Sequence, residues 1–296
     1  MHTITALGGL LAGIRSETSK GLTLSAPATL YVGFLVAAPL VILVAYSMWT
    51  QTYVSVDKTP TLANYREAFT DPLVRHLMIR SILIAAAVTV ATVALAYPIA
   101  YFIALKARRK TLWLLLITIP FWSSYLLRVF AWKLILGFNG VMNSALLALG
   151  LIDQPLTFLL YNEFAVVLTL AHAWAPFAIL PIYVSLQKID PSLLEAANDL
   201  GSSKFEQFIR VTLPLTIPGI IAACLIIFIP TVGDYVTPSL VGGSDGKMIA
   251  NLIQVQFGAA NNWPLGATLS LLAMLSVGFV AIVFVLSATG LGRRIR

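Results

Sequence analysis

The sequence predicts an all-α membrane protein of six transmembrane helices, and three observations carry that reading. Of 296 residues, 59% are hydrophobic and only 10% charged, against roughly 25% charged in soluble domains, which is too little polar surface to cover the chain in water. The few charges leave long uncharged intervals, from Gly21–Val56 to Met248–Gly292, and a helix needs roughly 20 apolar residues to cross about 30 Å of hydrocarbon. The basic residues collect at particular intervals along the chain rather than evenly. Intrinsic disorder is excluded by this composition, and a disulfide scaffold by the single cysteine, Cys224.

The elements follow in order. Residues 1–27 are expected to be a cytoplasmic N-terminal segment. Its first 14 residues hold no Lys or Arg, so the basic region of a cleaved signal is missing, and Gly9 and Gly13 form a GxxxG in a stretch too short to span. The first span, 28–49, lies within Gly21–Val56, and the polar stretch Gln51–Met78 reads as a loop. The second span, 79–105, is stopped by Lys106, Arg108, Arg109 and Lys110. The third is 112–135, with Arg128 and Lys133 toward its outer end. Leu134–Ile152 carries Gly137, Asn139, Gly140 and Asn143, so it reads as a turn and a short interfacial helix with Val141, Ala145 and Leu149 on one side. The fourth span is 164–187 and the fifth 213–234, with the loop 189–212 between them. Met248–Gly292 begins with Asn251, Gln254, Gln256, Asn261 and Asn262, so only 265–289 reads as the sixth span. A basic tail, 290–296, ends the transmembrane region 28–289.

Cytoplasmic loops carry the excess of Lys and Arg. With both termini inside, the inner segments hold Arg15, Lys20, the 106–110 cluster, Lys188, Lys204, Arg210, Arg293, Arg294 and Arg296, twelve of the 19 basic residues. Against five acids in the same segments they leave a net +7, the whole formal charge of the chain. A crossing at Leu134–Ile152 would put the 106–110 and 188–210 basic segments on opposite sides, so parity also argues against one there.

Chemistry for nucleotide hydrolysis, metal binding or proton relay is not evident in the chain. Gly242-Gly243-Ser244-Asp245-Gly246-Lys247-Met248 approaches a phosphate-binding loop, but Val241 stands where the first Gly is needed and Met248 where Mg²⁺ wants a hydroxyl. It also falls on the outer side by the topology above. His2, His76 and His172 have no metal-ligand spacing, and His172 beside Trp174 reads as a packed or hydrogen-bonded helix residue. Cys224, in mid-span, reads as a small inert hydrophobe. No cofactor, metal or nucleic-acid site is expected, and no enzyme constellation of nucleophile and base appears. A self-sufficient secondary carrier would need ionisable residues near the bilayer centre, whereas Asp234 lies 20 residues past Pro214, about 30 Å along a helix and therefore near the outer mouth.

The loop 189–212 is the densest segment. Asp190-Pro191 opens a helix with a capping acid and a Pro in the first turn. Leu193, Leu194, Ala197 and Leu200 give it an apolar face, and Gly201 stops it. Ser202 or Ser203 then caps a second amphipathic helix, with Phe205, Phe208 and Ile209 apolar, that runs to Leu213-Pro214. Glu195-Ala196-Ala197, three residues, Gly201, nine residues and Val211-x-Leu213-Pro214 resemble the EAA signature of ABC importer permeases, with Val in place of the usual Ile. The resemblance implies a type I importer permease fold in the bacterial inner membrane. It further implies a cytoplasmic coupling helix that docks in separate ATP-binding subunits, a second permease subunit and a periplasmic solute-binding protein. Glu195 would make the ionic contact, Ala196 and Ala197 would allow close approach, and Gly201 would make the turn.

Further segments extend the resemblance to the polyamine (spermidine/putrescine) branch: Pro120–Val129, Asn139–Asn143, Leu149–Leu156, Pro176-Phe177, Pro214–Ile220, Gly233-Asp234, Gly242-Gly243, Gln256-Phe257 and Trp263-Pro264. Opines, other organic cations and ions are the alternative solutes. Carboxylates and aromatic faces recognise polycations, so Asp234 and Tyr235, with Phe121, Trp122 and Tyr125, are the candidate pathway residues. The bland alternatives are an interfacial aromatic belt and pairing of Asp234 with Arg128 or Lys133.

Overall fold

The computed structural model describes the backbone of residues 2–53 and 55–295, and side-chain environments for 24–53 and 55–290. The Gly9/Gly13 pair and the side chains of Arg15, Lys20, Arg293, Arg294 and Arg296 lie outside that range. Among the described residues six helices are long and apolar enough to cross a membrane. The first, α1 (His2–Ser47), covers the expected 28–49 span except its last two residues and packs against the last helix.

The stretch 51–78 is more than a loop. Thr50–Thr52 (β1) and Ser55–Asp57 (β2) form an antiparallel hairpin with Thr50 opposite Asp57, and Ala63–Thr70 forms α2. The buried amide of Asn64 donates to the Ser47 and Trp49 carbonyls and pins α2 under the end of α1. Asp71 then caps α3 (Pro72–Tyr101) by accepting the Leu73 N–H, so the second span starts at Pro72, seven residues before the expected 79. A π turn, Phe102–Lys106, ends it.

The third span is also corrected. In place of one helix over 112–135 there are α4 (Lys110–Thr118), a 3₁₀ turn Ile119–Trp122, and α5 (Tyr125–Leu136). Pro120 lacks an N–H, the Ser123 hydroxyl donates to the Pro120 carbonyl at 2.6 Å, Ser123 is extended and Ser124 is non-helical at ψ 137°. At ~1.5 Å per residue neither α4 nor α5 alone reaches across a bilayer. The long apolar stretch here is Tyr125–Ala148, with Lys110–Trp122 a shorter apolar helix. The expected short helix is α6 (Val141–Ala148). Buried Asn143 holds its approach turn, donating to the Gly137, Phe138 and Leu156 carbonyls and accepting the Leu156 N–H.

After a 3₁₀ turn at Thr157–Leu159, α7 runs Glu163–Gln187. The intervening segment gives α8 (Pro191–Asp199) and α9 (Lys204–Gln207). A π turn, Phe208–Thr212, leads directly into α10 (Leu213–Val232), so the expected second amphipathic helix is a short prelude to the fifth span. A further π turn, Pro238–Gly242, precedes α11 (Ile249–Phe257), a helix in the stretch the sequence marks only as polar. The Ser81 hydroxyl receives the Ile249 N–H at 2.7 Å, which anchors α11 to α3. The last helix is α12 (Trp263–Ile295).

The bundle is centred on α3, α7 and α10, whose buried faces are rich in small and β-branched residues such as Ala85, Val88, Ala165, Ala178 and Ala223. Small side chains let helices approach closely where lipid removes the hydrophobic drive between them. The tightest crossing is at Gly219, where a Cβ would lie 2.6 Å from the Pro181 carbonyl of α7. Hydroxyls on these faces, Thr89, Thr92 and Thr231, bond back to the carbonyl one turn earlier, which satisfies them without a partner helix.

Candidate functional site

Two sites emerge, at opposite ends of α10. At its N-terminal end, α8 is a compact capped unit. Asp190 accepts the Ser192 N–H, and that bond holds its carboxyl below the ordinary carboxylate range. The helix closes as a Schellman motif: the Ser202 N–H reaches the Ala197 carbonyl at 3.0 Å and the Gly201 N–H the Asn198 carbonyl at 2.9 Å. Gly201 sits at φ +79°, the left-handed conformation that favours glycine. Of the two candidate serines it is Ser203 that caps α9, in a capping box with Glu206.

This unit is tied to the bundle by one side. The Gln207 amide donates to the Leu194 carbonyl, Leu194 packs on the core, and Phe208 meets the rings of Tyr97 and Tyr101 edge-on at 5.7 and 6.1 Å. Tyr97 in turn shares a hydrogen bond with Thr216 in α10. The other side is bare. Glu195 and Ala196 are exposed and Ala197 half-buried, and Glu195 takes part in neither ion pair found among the described residues. The expected apolar face divides: Leu194 and Ala197 turn inward, whereas Leu193, Leu200 and Phe205 are 46%, 86% and 73% exposed. Leu213 is half-buried against the core and Pro214 stands in the first turn of α10. The Phe208–Tyr101 contact also puts the 188–210 segment at the same end of the bundle as Lys106 and the basic cluster that follows α3.

At the far end of α10, Asp234 and Tyr125 meet. The Tyr125 hydroxyl donates to one carboxylate oxygen of Asp234, while the other accepts the Val236 N–H at 2.9 Å. Both line a cavity of about 310 Å³ together with Arg128, Trp174 and Phe177. Irregular backbone at membrane depth is tolerated where it lines such a space, and the break at Ser123–Ser124 opens beside it. Phe121 stacks edge-on against Phe177 at 5.4 Å and carries the Arg128 guanidinium 4.2 Å above its ring. Asp234 pairs with neither Arg128 nor Lys133. Trp122 is 87% exposed and turns away, and Tyr235 lines a separate apolar cavity of about 840 Å³ between α10, α11 and α12 that has no Asp, Glu, Lys or Arg in its wall.

Trp174 and Phe177 line this cavity but are not among the candidate residues the sequence nominates. Their i, i+3 spacing on α7, on either side of Pro176, was the available signal. His172 is a hydrogen-bonded helix residue, receiving the Trp132 indole N–H at 3.2 Å. No cluster able to hold a metal occurs among the described residues.

Residues 6–296 match the family of binding-protein-dependent transport system inner membrane components. The chain is similar to the spermidine/putrescine transport system permease protein PotB of Escherichia coli (strain K12), 39% identical over 225 residues covering 76% of this chain and 81% of that one. It resembles PotB of Haemophilus influenzae at 35% identity over 240 residues, 80% of this chain and 83% of the relative. In fold it is similar to a chain of a bacterial ABC transporter involved in import of the acidic polysaccharide alginate. The TM-score there is 0.70 at 16% identity, with 95% of this chain and 98% of that one covered.

Proposed function

Because the chain belongs to the family of binding-protein-dependent transport system inner membrane components, we propose that it is a permease subunit of an ATP-driven importer and that it forms half of a pathway for a polyamine. The likeness to the spermidine/putrescine permeases over about four-fifths of both chains carries this reading. ATP hydrolysis resides in separate cytoplasmic subunits, a homologous permease completes the pathway, and a periplasmic binding protein delivers the solute. The positive-inside rule puts both termini, the 106–110 cluster and the α8 segment in the cytoplasm.

In that orientation α8 is the coupling helix. Its bare side offers Glu195 for an ionic contact, Ala196 for close approach and Leu193 as an apolar contact, and Leu200 just past its end and Phe205 in α9 add apolar surface that a partner would cover. Movement of α8 passes through Gln207 and Phe208 to α3 and α10, the helices at the centre of the bundle. At the outer end Asp234 supplies a carboxylate, and Tyr125, Trp174 and Phe177 supply ring faces for an ammonium on an alkyl stem. Cells expressing the chain with its partner subunits should accumulate labelled spermidine or putrescine, with each unlabelled polyamine competing. Accumulation unaffected by loss of the chain contradicts the reading.

A further inference from the structure

The cavity that holds Asp234 also holds a cation of the protein's own, and its state is unusual. The guanidinium of Arg128 lies 4.2 Å over the Phe121 ring and 6.0 Å from that of Tyr125. Its Nε and Nη1 are shielded from solvent yet have no hydrogen-bond partner among the described residues, and no carboxylate lies within ion-pair distance. The nearby carboxylate is committed elsewhere: Asp234 receives the Tyr125 hydroxyl and the Val236 N–H. The Trp174 indole N–H beside the same cavity is likewise unpartnered. Unpaired buried donors are costly and rare in folded proteins, so a guanidinium with two of its three nitrogens left in this condition calls for a role.

We propose that Arg128 is a tethered cation that occupies the aromatic side of the pathway and bars small inorganic cations from it, making Arg128 a specificity-determining residue. The inference rests on the proposed polyamine pathway. A carboxylate among aromatic rings attracts any cation, so a pathway built of those groups alone would admit Na⁺ and K⁺ as well as its solute. A fixed positive group in the pore wall opposes them electrostatically. A monovalent metal ion brings one charge and a hydration shell that the rings cannot replace. A polyamine brings several charges on an apolar stem, which packs on the same rings and competes for them with the guanidinium.

The test uses the assembled transporter in proteoliposomes without ATP, with K⁺ entry followed by a potential-sensitive dye. Arg128→Gln should raise K⁺ entry at least tenfold over the unmodified complex, Arg128→Lys should stay as tight as the unmodified complex, and adding Asp234→Asn to Arg128→Gln should lower the leak. An assembled Arg128→Gln complex that remains tight overturns the inference, as does an Arg128→Lys complex that leaks equally. If Arg128→Gln does not assemble, Phe121→Leu, which removes the ring that holds the guanidinium, should leak, and tightness in that variant is the overturning result. Absence of polyamine accumulation by the unmodified complex would count against the pathway reading, which the leak measurement does not require.

Discussion

Replacement of Gly201 isolates the coupling helix from the rest of the fold. A Cβ added there meets nothing within 4 Å, so no clash contributes, and the whole cost comes from the φ of +79°. Holding a β-branched residue in the left-handed region costs roughly 1–2 kcal/mol, enough to change a local equilibrium about 5- to 30-fold. The strain falls on the Schellman closure through Ser202 and Ala197, whereas the α3, α7 and α10 contacts are untouched. Gly201→Val should therefore leave membrane insertion and thermal stability close to those of the unmodified chain and weaken binding to the ATP-binding subunits by about that factor. Gly201→Asn, which tolerates the left-handed conformation, should recover most of the loss. The assay is the affinity of the detergent-solubilised permease for purified ATP-binding subunits, read beside solute-stimulated ATP hydrolysis. Equal affinity for the Gly and Val forms, or an Asn form as weak as Val, refutes the reasoning.

Asp234→Asn keeps the shape of the outer cavity and removes its charge; at about 1.5–3 kcal/mol for a charge-assisted contact, half-saturation for polyamine uptake should rise roughly 10- to 100-fold with assembly intact, and unchanged uptake kinetics contradict a solute-facing role. Gly219→Ala puts a methyl group 2.6 Å from a backbone carbonyl of α7; overpacking of this kind costs about 1–3 kcal/mol, so melting in detergent should fall, and unchanged melting means the crossing is looser than described. The Asp190 carboxyl is held below its ordinary range by the Ser192 N–H. Its capping contribution is therefore full above the ordinary carboxylate range and is lost as pH falls through the lowered value. Protease sensitivity of the 189–212 segment should be flat from neutral pH down to that range and rise below it, whereas Asp190→Ala should be sensitive at every pH.

Much of this was legible because it is local. Asp190-Pro191, Gly201 and Ser203 declare the ends of α8 and the start of α9 by residue type, and each does so through a bond or φ angle found in the fold. Apolar length against bilayer thickness is likewise a one-dimensional property, and it places α7 and α10 within two residues of the expected 164–187 and 213–234. The break within 112–135 escaped because an apolar count cannot register Pro120 and two serines that stop a helix without adding charge. The start of α3 lay seven residues early because a cap, Asp71, outweighed the polarity of the residues after it. The cavity was least legible. Asp234 and Tyr125 were named separately, but their bond spans 109 residues. Trp174 and Phe177 share a helix face by their spacing, but that this face meets Tyr125, Arg128 and Asp234 depends on how α5, α7 and α10 pack, which no local pattern encodes.

As a permease subunit, this chain should conduct solute only when its α8 surface is driven by ATP hydrolysis in partner subunits. Uptake of labelled spermidine into proteoliposomes holding the complete complex and its binding protein, with ATP enclosed or omitted, tests it most directly. Uptake should require ATP and should fall to the ATP-free level in an assembled complex carrying Glu195→Ala and Gly201→Val together; spermidine accumulation that continues without ATP, or at full rate in that variant, contradicts it.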